Sequence, residues 1–160
     1  MAIGEGPGEK EDLEGRPFIG RSGKLLTELF DSAGLNRDTD LFISNIVKCR
    51  PPNNRDPKPT EISACSTILK QQIQCIKPKI ILLIGSPSMK TMLGPNHKIT
   101  QVRGQWFTEP VDYMKDMVYI MPILHPSYLL RHASNEVGKP KWQTKQDLLE
   151  VKKKYHQLTV

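Results

Sequence analysis

The run Gly4-Glu5-Gly6-Pro7-Gly8 limits what the start of this chain can become. It follows Met1-Ala2-Ile3, a short apolar stretch that reads as the end of a strand. Three glycines tolerate positive φ and Pro7 fixes its own, so the segment must turn. Backbone N–H groups at such a turn are open to an approaching ligand. Carboxylates then crowd in (Glu5, Glu9, Glu11, Asp12, Glu14), with one aromatic, Phe18, behind Pro17. Phosphate cradles want a lysine and few acids, and neither GxGxxG nor GxxxxGK followed by Ser or Thr is present. The turn suits a neutral polar ligand or a water better than a triphosphate.

Apolar runs and helical periodicity alternate along the rest of the chain. Leu25, Leu26, Leu29 and Ala33 recur at helical spacing between Ser22, the expected N-cap, and Gly34, the expected stop. Leu41–Val47 is apolar and β-branched and predicts a buried strand, interrupted by the amide of Asn45. The basic, proline-rich stretch Cys49–Pro59 can be neither helix nor central strand. A helix is expected over Glu61–Ile76 with Thr60 as its cap, then a fully buried strand over Lys79–Ile84. Ser86-Pro87 opens a short helix to Leu93, with Pro at the first helical position. Asn96–Phe107 reads as β-like, Asp112–Asp116 as a turn and Met117–Leu124 as the last strand. His125-Pro126-Ser127 follows at once, and an amphipathic helix is expected from about Lys141 to His156.

This alternation predicts an α/β fold: three layers, α/β/α, around a mostly parallel central sheet. In such sheets ligands sit beyond the carboxyl ends of the strands. Those ends are Gly4–Gly8, Asn45–Cys49, Gly85-Ser86 and His125–Ser127, so the polar residues converge on one edge. At 160 residues the chain reads as one domain, 1–160. A formal charge of +6 favours a polyanionic partner, while the acids cluster near the first turn. No apolar window is long enough to span a membrane, and no signal peptide is visible. Three cysteines give no disulfide framework.

Four motifs together resemble the family 4 uracil-DNA glycosylases, the iron–sulfur branch of that superfamily. They are Gly4-Glu5-Gly6-Pro7-Gly8 with Glu11-Asp12; Gly15-Arg16-Pro17-Phe18-Ile19-Gly20; Asn45-Ile46-Val47-Lys48-Cys49-Arg50-Pro51-Pro52; and His125-Pro126-Ser127-Tyr128. The resemblance implies that Phe18 stacks on a flipped base and that Asn45 bonds the uracil edge at O4 and N3–H. His125 would donate to uracil O2. Glu5 and the Gly6 backbone would line the pocket, with Glu5 or Glu11 holding the attacking water. Ser127, Tyr128, Leu129 and Arg131 would press on the DNA, and Arg50 has a claim to a phosphate. The partner implied is uracil-containing DNA, bound by a monomer that is cytoplasmic and nucleoid-associated, of bacterial or archaeal type.

The family's 4Fe-4S cluster takes four cysteines. Cys49 and Cys65 match the downstream pair; Cys75 matches none. The upstream pair has no counterpart, because the chain begins three residues before the glycine turn. The expectation is either a truncated N-terminus or a cluster that is absent.

The residue types suit this chemistry. A glycosylase takes its base out of the stack and reads the edge in a closed pocket. The leaving group is an anion, so a donor aimed at O2 lowers the barrier. Two other readings stand beside uracil excision. One is a non-catalytic uracil-DNA binder or inactive remnant; the other is a nucleotide-binding α/β domain, which the acids of the first loop disfavour.

Overall fold

A computed structural model describes residues 1–110 and 117–159. Five strands form one sheet in the order β2-β1-β3-β5-β4: β1 (Ala2–Gly4), β2 (Ile43–Asn45), β3 (Ile80–Ile84), β4 (Phe107–Pro110) and β5 (Met117–Ile123). All pairings are parallel except β4 with β5. The helices are α1 (Glu9–Glu14), α2 (Arg21–Ser32), α3 (Pro59–Ile76), α4 (Ser86–Leu93), α5 (Ile99–Val102), α6 (Pro126–Arg131) and α7 (Pro140–Thr159).

The three layers follow from the period of two in β3, whose five residues are all buried. Ile80, Leu82 and Ile84 share a core with Leu26 and Phe30 of α2, Leu129 of α6 and Leu148 of α7. Ile81 and Leu83 face the other way, onto Leu69 and Ile73 of α3 and Met89 of α4. A strand buried on both faces reads as a continuous apolar run because no position faces water. The expected three-layer, mostly parallel architecture is the one found.

Several local expectations need correction. The acidic stretch after the glycine turn forms α1, with Glu9, Glu11 and Asp12 in its first turn, where carboxylates suit the helix dipole. Helix α2 begins at Arg21 with Gly20 as its N-cap, so Ser22 is inside the helix and caps nothing. The strand expected over Leu41–Val47 shortens to Ile43–Asn45. Pairing runs on in part, since the Ile46 and Val47 amides donate to the Gly4 and Glu5 carbonyls. Thr60 is not the cap of α3. Pro59 occupies its first turn, and the Glu61 carboxylate reaches back to the Lys58 amide at 2.8 Å. The stretch read as β-like from Asn96 carries α5, and strand begins only at Phe107. The Arg103 guanidinium there pairs with buried Asp147 of α7, which ties the segment after α5 to that helix. The turn expected over Asp112–Asp116 lies outside the described residues. Among the described residues no helix is long and apolar enough to cross a membrane.

Register levels the strand ends. Gly4 stands opposite Asn45, Ile3 opposite Leu83, and Ile84 opposite Ile123. The loops that follow β1, β2, β3 and β5 therefore leave one edge side by side.

Candidate active site at the carboxyl edge of the sheet

Asn45 is the last residue of β2 and is only 6% exposed. Its side-chain Oδ1 is buried with no hydrogen-bond partner. A buried acceptor left unpaired costs about 1–3 kcal/mol, so the arrangement asks for a donor from outside. The backbone beneath it is held firmly. Lys48 Nζ donates to the Asn45 carbonyl, Ser44 Oγ and Gln72 Oε1, each at 2.7 Å. Burial pushes the Lys48 ammonium down, and Cys65 nearby partly opposes that.

Phe18 lies in the loop between α1 and α2 and has a φ of 51°, the left-handed region that aromatic residues rarely enter. Its ring edge and Asn45 Oδ1 both approach Gly4. A Cβ there would lie 2.4 Å from Phe18 Cζ and 2.6 Å from Asn45 Oδ1. Only glycine at the end of β1 lets ring and amide come so close. On its other side Phe18 meets His125, with ring centroids 6.0 Å apart and planes tilted by 44°. The amide, the aromatic ring and the imidazole, from three separate parts of the chain, thus stand together.

His125 follows β5 and caps α6. Its Nδ1 accepts the Ser127 backbone N–H at 3.1 Å and lies 2.7 Å from Ser127 Oγ. A backbone donor at Nδ1 leaves the ring proton on Nε2. Burial, with the Arg131 charge added, pushes the imidazole down to about 4, so it is neutral at pH 7. Gly85, at φ 88°, lets His125 pack closely against the end of β3: a Cβ there would lie 3.0 Å from His125 Cβ and 3.2 Å from its Cδ2.

His125 opens onto a cavity of about 850 Å³. Glu5, Asp56, Ser127, Tyr128 and Arg131 are among the residues that line it. Burial, reinforced by Asp56, pushes the Glu5 carboxyl up. Asn45 borders a second cleft of about 310 Å³, with Pro17, Lys48 and Gln72. Phe18 approaches a residue of each, Asn45 of the second and His125 of the first. Gly6 is packed under this edge, where a Cβ would lie 2.7 Å from Val47 Cγ2.

Some of the expected site residues are placed differently. Glu11 Oε1 accepts the Ile19 and Gly20 amides at 3.0 and 2.8 Å. Burial pushes its carboxyl up, but backbone amides of Gly20, Glu11 itself, Ile19 and Gly8 together more than cancel that and leave it below the usual range. Glu11 is thereby engaged in holding the Phe18 loop. Leu129, expected against DNA, is 1% exposed and belongs to the core, because the inward face of α6 packs on α2. Arg50 donates from Nε to Asn54 Oδ1 at 2.7 Å and ties the proline-rich loop to itself. Asp56, Lys48 and Arg37 were not singled out by the sequence. For Lys48 a signal existed, three residues after Asn45; for Asp56 and Arg37 the partners are remote in sequence.

Cys49 is exposed and Cys65 half-buried, its Sγ accepting the Lys48 amide at 3.4 Å. Among the described residues no group of three or more His, Cys, Asp or Glu side chains is placed to hold a metal. An iron–sulfur cluster closed by four thiolates needs two sulfurs more than Cys49 and Cys65 supply, so the residues of this chain do not fit that group.

Residues 1–149 match the family model of the uracil DNA glycosylase superfamily. The chain is 48% identical over 136 residues to a Type-4 uracil-DNA glycosylase of Thermotoga maritima, covering 84% of this chain and 68% of that one. It is 48% identical over 135 residues to a Type-4 uracil-DNA glycosylase of Sulfurisphaera tokodaii, covering 81% and 60%. It is also 30% identical over 131 residues to a DNA polymerase of Bacillus phage SP01, covering 82% of this chain but 13% of the polymerase. The chain thus spans 60% and 68% of the two glycosylases. Four loops converging on one sheet edge and a family match over nearly the whole length lead to one conclusion: the chain belongs to the uracil DNA glycosylase superfamily.

Proposed function

We propose that this chain excises uracil from DNA by hydrolysing the bond between base and deoxyribose, leaving an abasic site. The observation that carries this reading is the unpartnered, buried Oδ1 of Asn45 beside Phe18, whose ring in turn meets His125. Uracil offers N3–H to that acceptor, whereas cytosine presents a bare N3 and would leave both groups unpaired.

The flipped base stacks on Phe18 with its N3 edge at Asn45. As the N1–C1′ bond breaks, its electron pair moves onto the uracil ring and O2 gains negative charge. The neutral His125 ring, with its proton fixed on Nε2 by Ser127, donates to O2 without needing to be charged. A water adds to C1′ and passes its proton by way of the Glu5 carboxylate to solvent, and the uracil anion takes up a proton from solvent as it leaves. Glu5 suits the role of holding that water: it lines the same cavity as His125, and Glu11 is already bonded to two amides. Ionised Glu5 also favours the positive charge that develops on the sugar. Tyr128 and Arg131 lie at the cavity wall, where the DNA strand would pass, and Arg131 adds a cation for a phosphate. Every group in this scheme comes from one chain, so a monomer suffices.

The test is release of free uracil, measured by chromatography, from oligonucleotides carrying uracil, cytosine or thymine at one position. Release from the uracil substrate alone is the expected result. Binding without release would favour the reading of a non-catalytic uracil-DNA binder.

A further inference from the structure

The loop that carries Phe18 is gripped from two sides. On one side Glu11 Oε1 takes the successive amides of Ile19 and Gly20. On the other, the Arg37 guanidinium takes the successive carbonyls of Pro17 and Phe18, Nη2 donating to the first and Nη1 to the second. Nη1 also donates to Thr27 Oγ1 at 3.2 Å, and Thr27 in turn donates to the Gly23 carbonyl of α2 at 3.1 Å. A Cβ on Gly23 would come within 2.0 Å of the Phe18 carbonyl carbon, so α2 presses directly on the loop. Arg37 itself projects from a turn fixed by its neighbours. Asn36 Oδ1 accepts the Asp38 amide at 2.8 Å, and Asp40 Oδ2 accepts the Asn36 amide at 3.0 Å.

We propose that Arg37 is a positioning residue for base recognition: its forked bonds to the Pro17 and Phe18 carbonyls hold the Phe18 ring in the attitude on which a flipped uracil stacks. The inference rests on the uracil-excision reading given above. Phe18 sits at φ 51°, a conformation a bulky residue keeps only when its surroundings impose it. Glu11 fixes the two peptide groups after the ring. Arg37 fixes the peptide group on each side of the Phe18 Cα, sharing the Phe18–Ile19 group with Glu11, and two adjacent carbonyls match a planar fork better than a point charge. Without Arg37 the Phe18 backbone is free to leave the left-handed region, and the ring turns away from Asn45 and His125.

The experiment is a double-mutant cycle on the full chain, read by single-turnover uracil release from a duplex with one U·G pair. Arg37→Ala should slow release by about 10–100-fold, as for a group displaced by about 1 Å. Phe18→Ala should slow it at least as much. The double variant should be no more than about twofold slower than Phe18→Ala alone, because Arg37 acts through that ring. Affinity for abasic-site DNA should stay within about twofold of the unsubstituted chain. Lys153→Ala, which removes an exposed cation of α7, should leave the rate unchanged. If Arg37→Ala does not fold, Arg37→Lys serves: it keeps charge and stem but not the fork, and should still slow release several-fold.

A double variant whose losses multiply, or an Arg37→Lys chain at full rate, overturns the inference while leaving uracil excision standing. A chain that releases no uracil in its unsubstituted form overturns the excision reading. Amide hydrogen exchange then decides the clamp alone: protection at Ile19 and Gly20 should fall at least about tenfold in Arg37→Ala or Arg37→Lys. Unchanged protection there overturns it.

Discussion

Asn45→Ala lowers single-turnover uracil release by about 10³-fold or more and leaves the melting temperature nearly unchanged. The asymmetry comes from the state of the amide in the free protein. Its Oδ1 is buried and bonded to nothing, so it destabilises the fold until a ligand arrives. Alanine relieves that cost of about 1–3 kcal/mol and loses a little packing, and the two effects oppose each other. With the base flipped into the site the same oxygen would pair with N3–H, and its loss orphans a buried donor there but not in bound, stacked DNA, so few complexes reach the reactive state. Melting curves and single-turnover rates on the same preparation check both halves. A variant with full activity would remove Asn45 from base reading. A large fall in melting temperature would mean that the amide supports the fold.

His125→Ala is expected to slow the chemical step by about 10²–10³-fold, the usual consequence of losing one preorganised donor to a developing anion. Affinity for uracil-containing DNA should change little, because most of the charge is acquired only as the bond breaks. The same substitution changes how stability depends on pH. In the folded chain the imidazole is pushed down to about 4, whereas an unfolded histidine titrates near 6.5. Between these values the unfolded chain binds more protons than the folded one. Stability therefore falls as the pH drops from about 6.5 towards 4, by up to about 3 kcal/mol, and the loss levels off below that. His125→Ala should lose less stability over this range. Because the ring is already neutral at pH 6, the acid limb of the rate profile should follow Glu5, whose carboxyl is raised by burial and by Asp56. A rate governed by a protonated histidine, or a DNA-affinity defect alone, would contradict this role.

The sequence revealed the fold through residues that water excludes. The five apolar positions of β3 read as buried because each lies against a helix on one face or the other. Gly4, Asn45 and His125 could be placed on one edge because each ends a strand run, and parallel register then aligns them. What stayed hidden depended on partners remote along the chain. The bonds from the Ile19 and Gly20 amides to Glu11 were not legible, because their partners lie eight and nine residues away. Leu129 resembled a surface residue because a six-residue helix is too short to display its buried face in the sequence. The stretch before Phe107 misled for another reason, since the bend around Arg103 depends on Asp147 of α7. Ser22 and Thr60 were sound capping residues in isolation. A carboxylate closes the start of α3 instead, and Gly20 caps α2, its own amide held by Glu11.

The central claim is geometric, and a crystal structure of the chain with free uracil tests it most directly. The account predicts the pyrimidine stacked on Phe18, N3 within hydrogen-bond distance of Asn45 Oδ1 and O2 within reach of His125 Nε2. Uracil bound elsewhere, or bound here with its N3 edge turned away from Asn45, would contradict it.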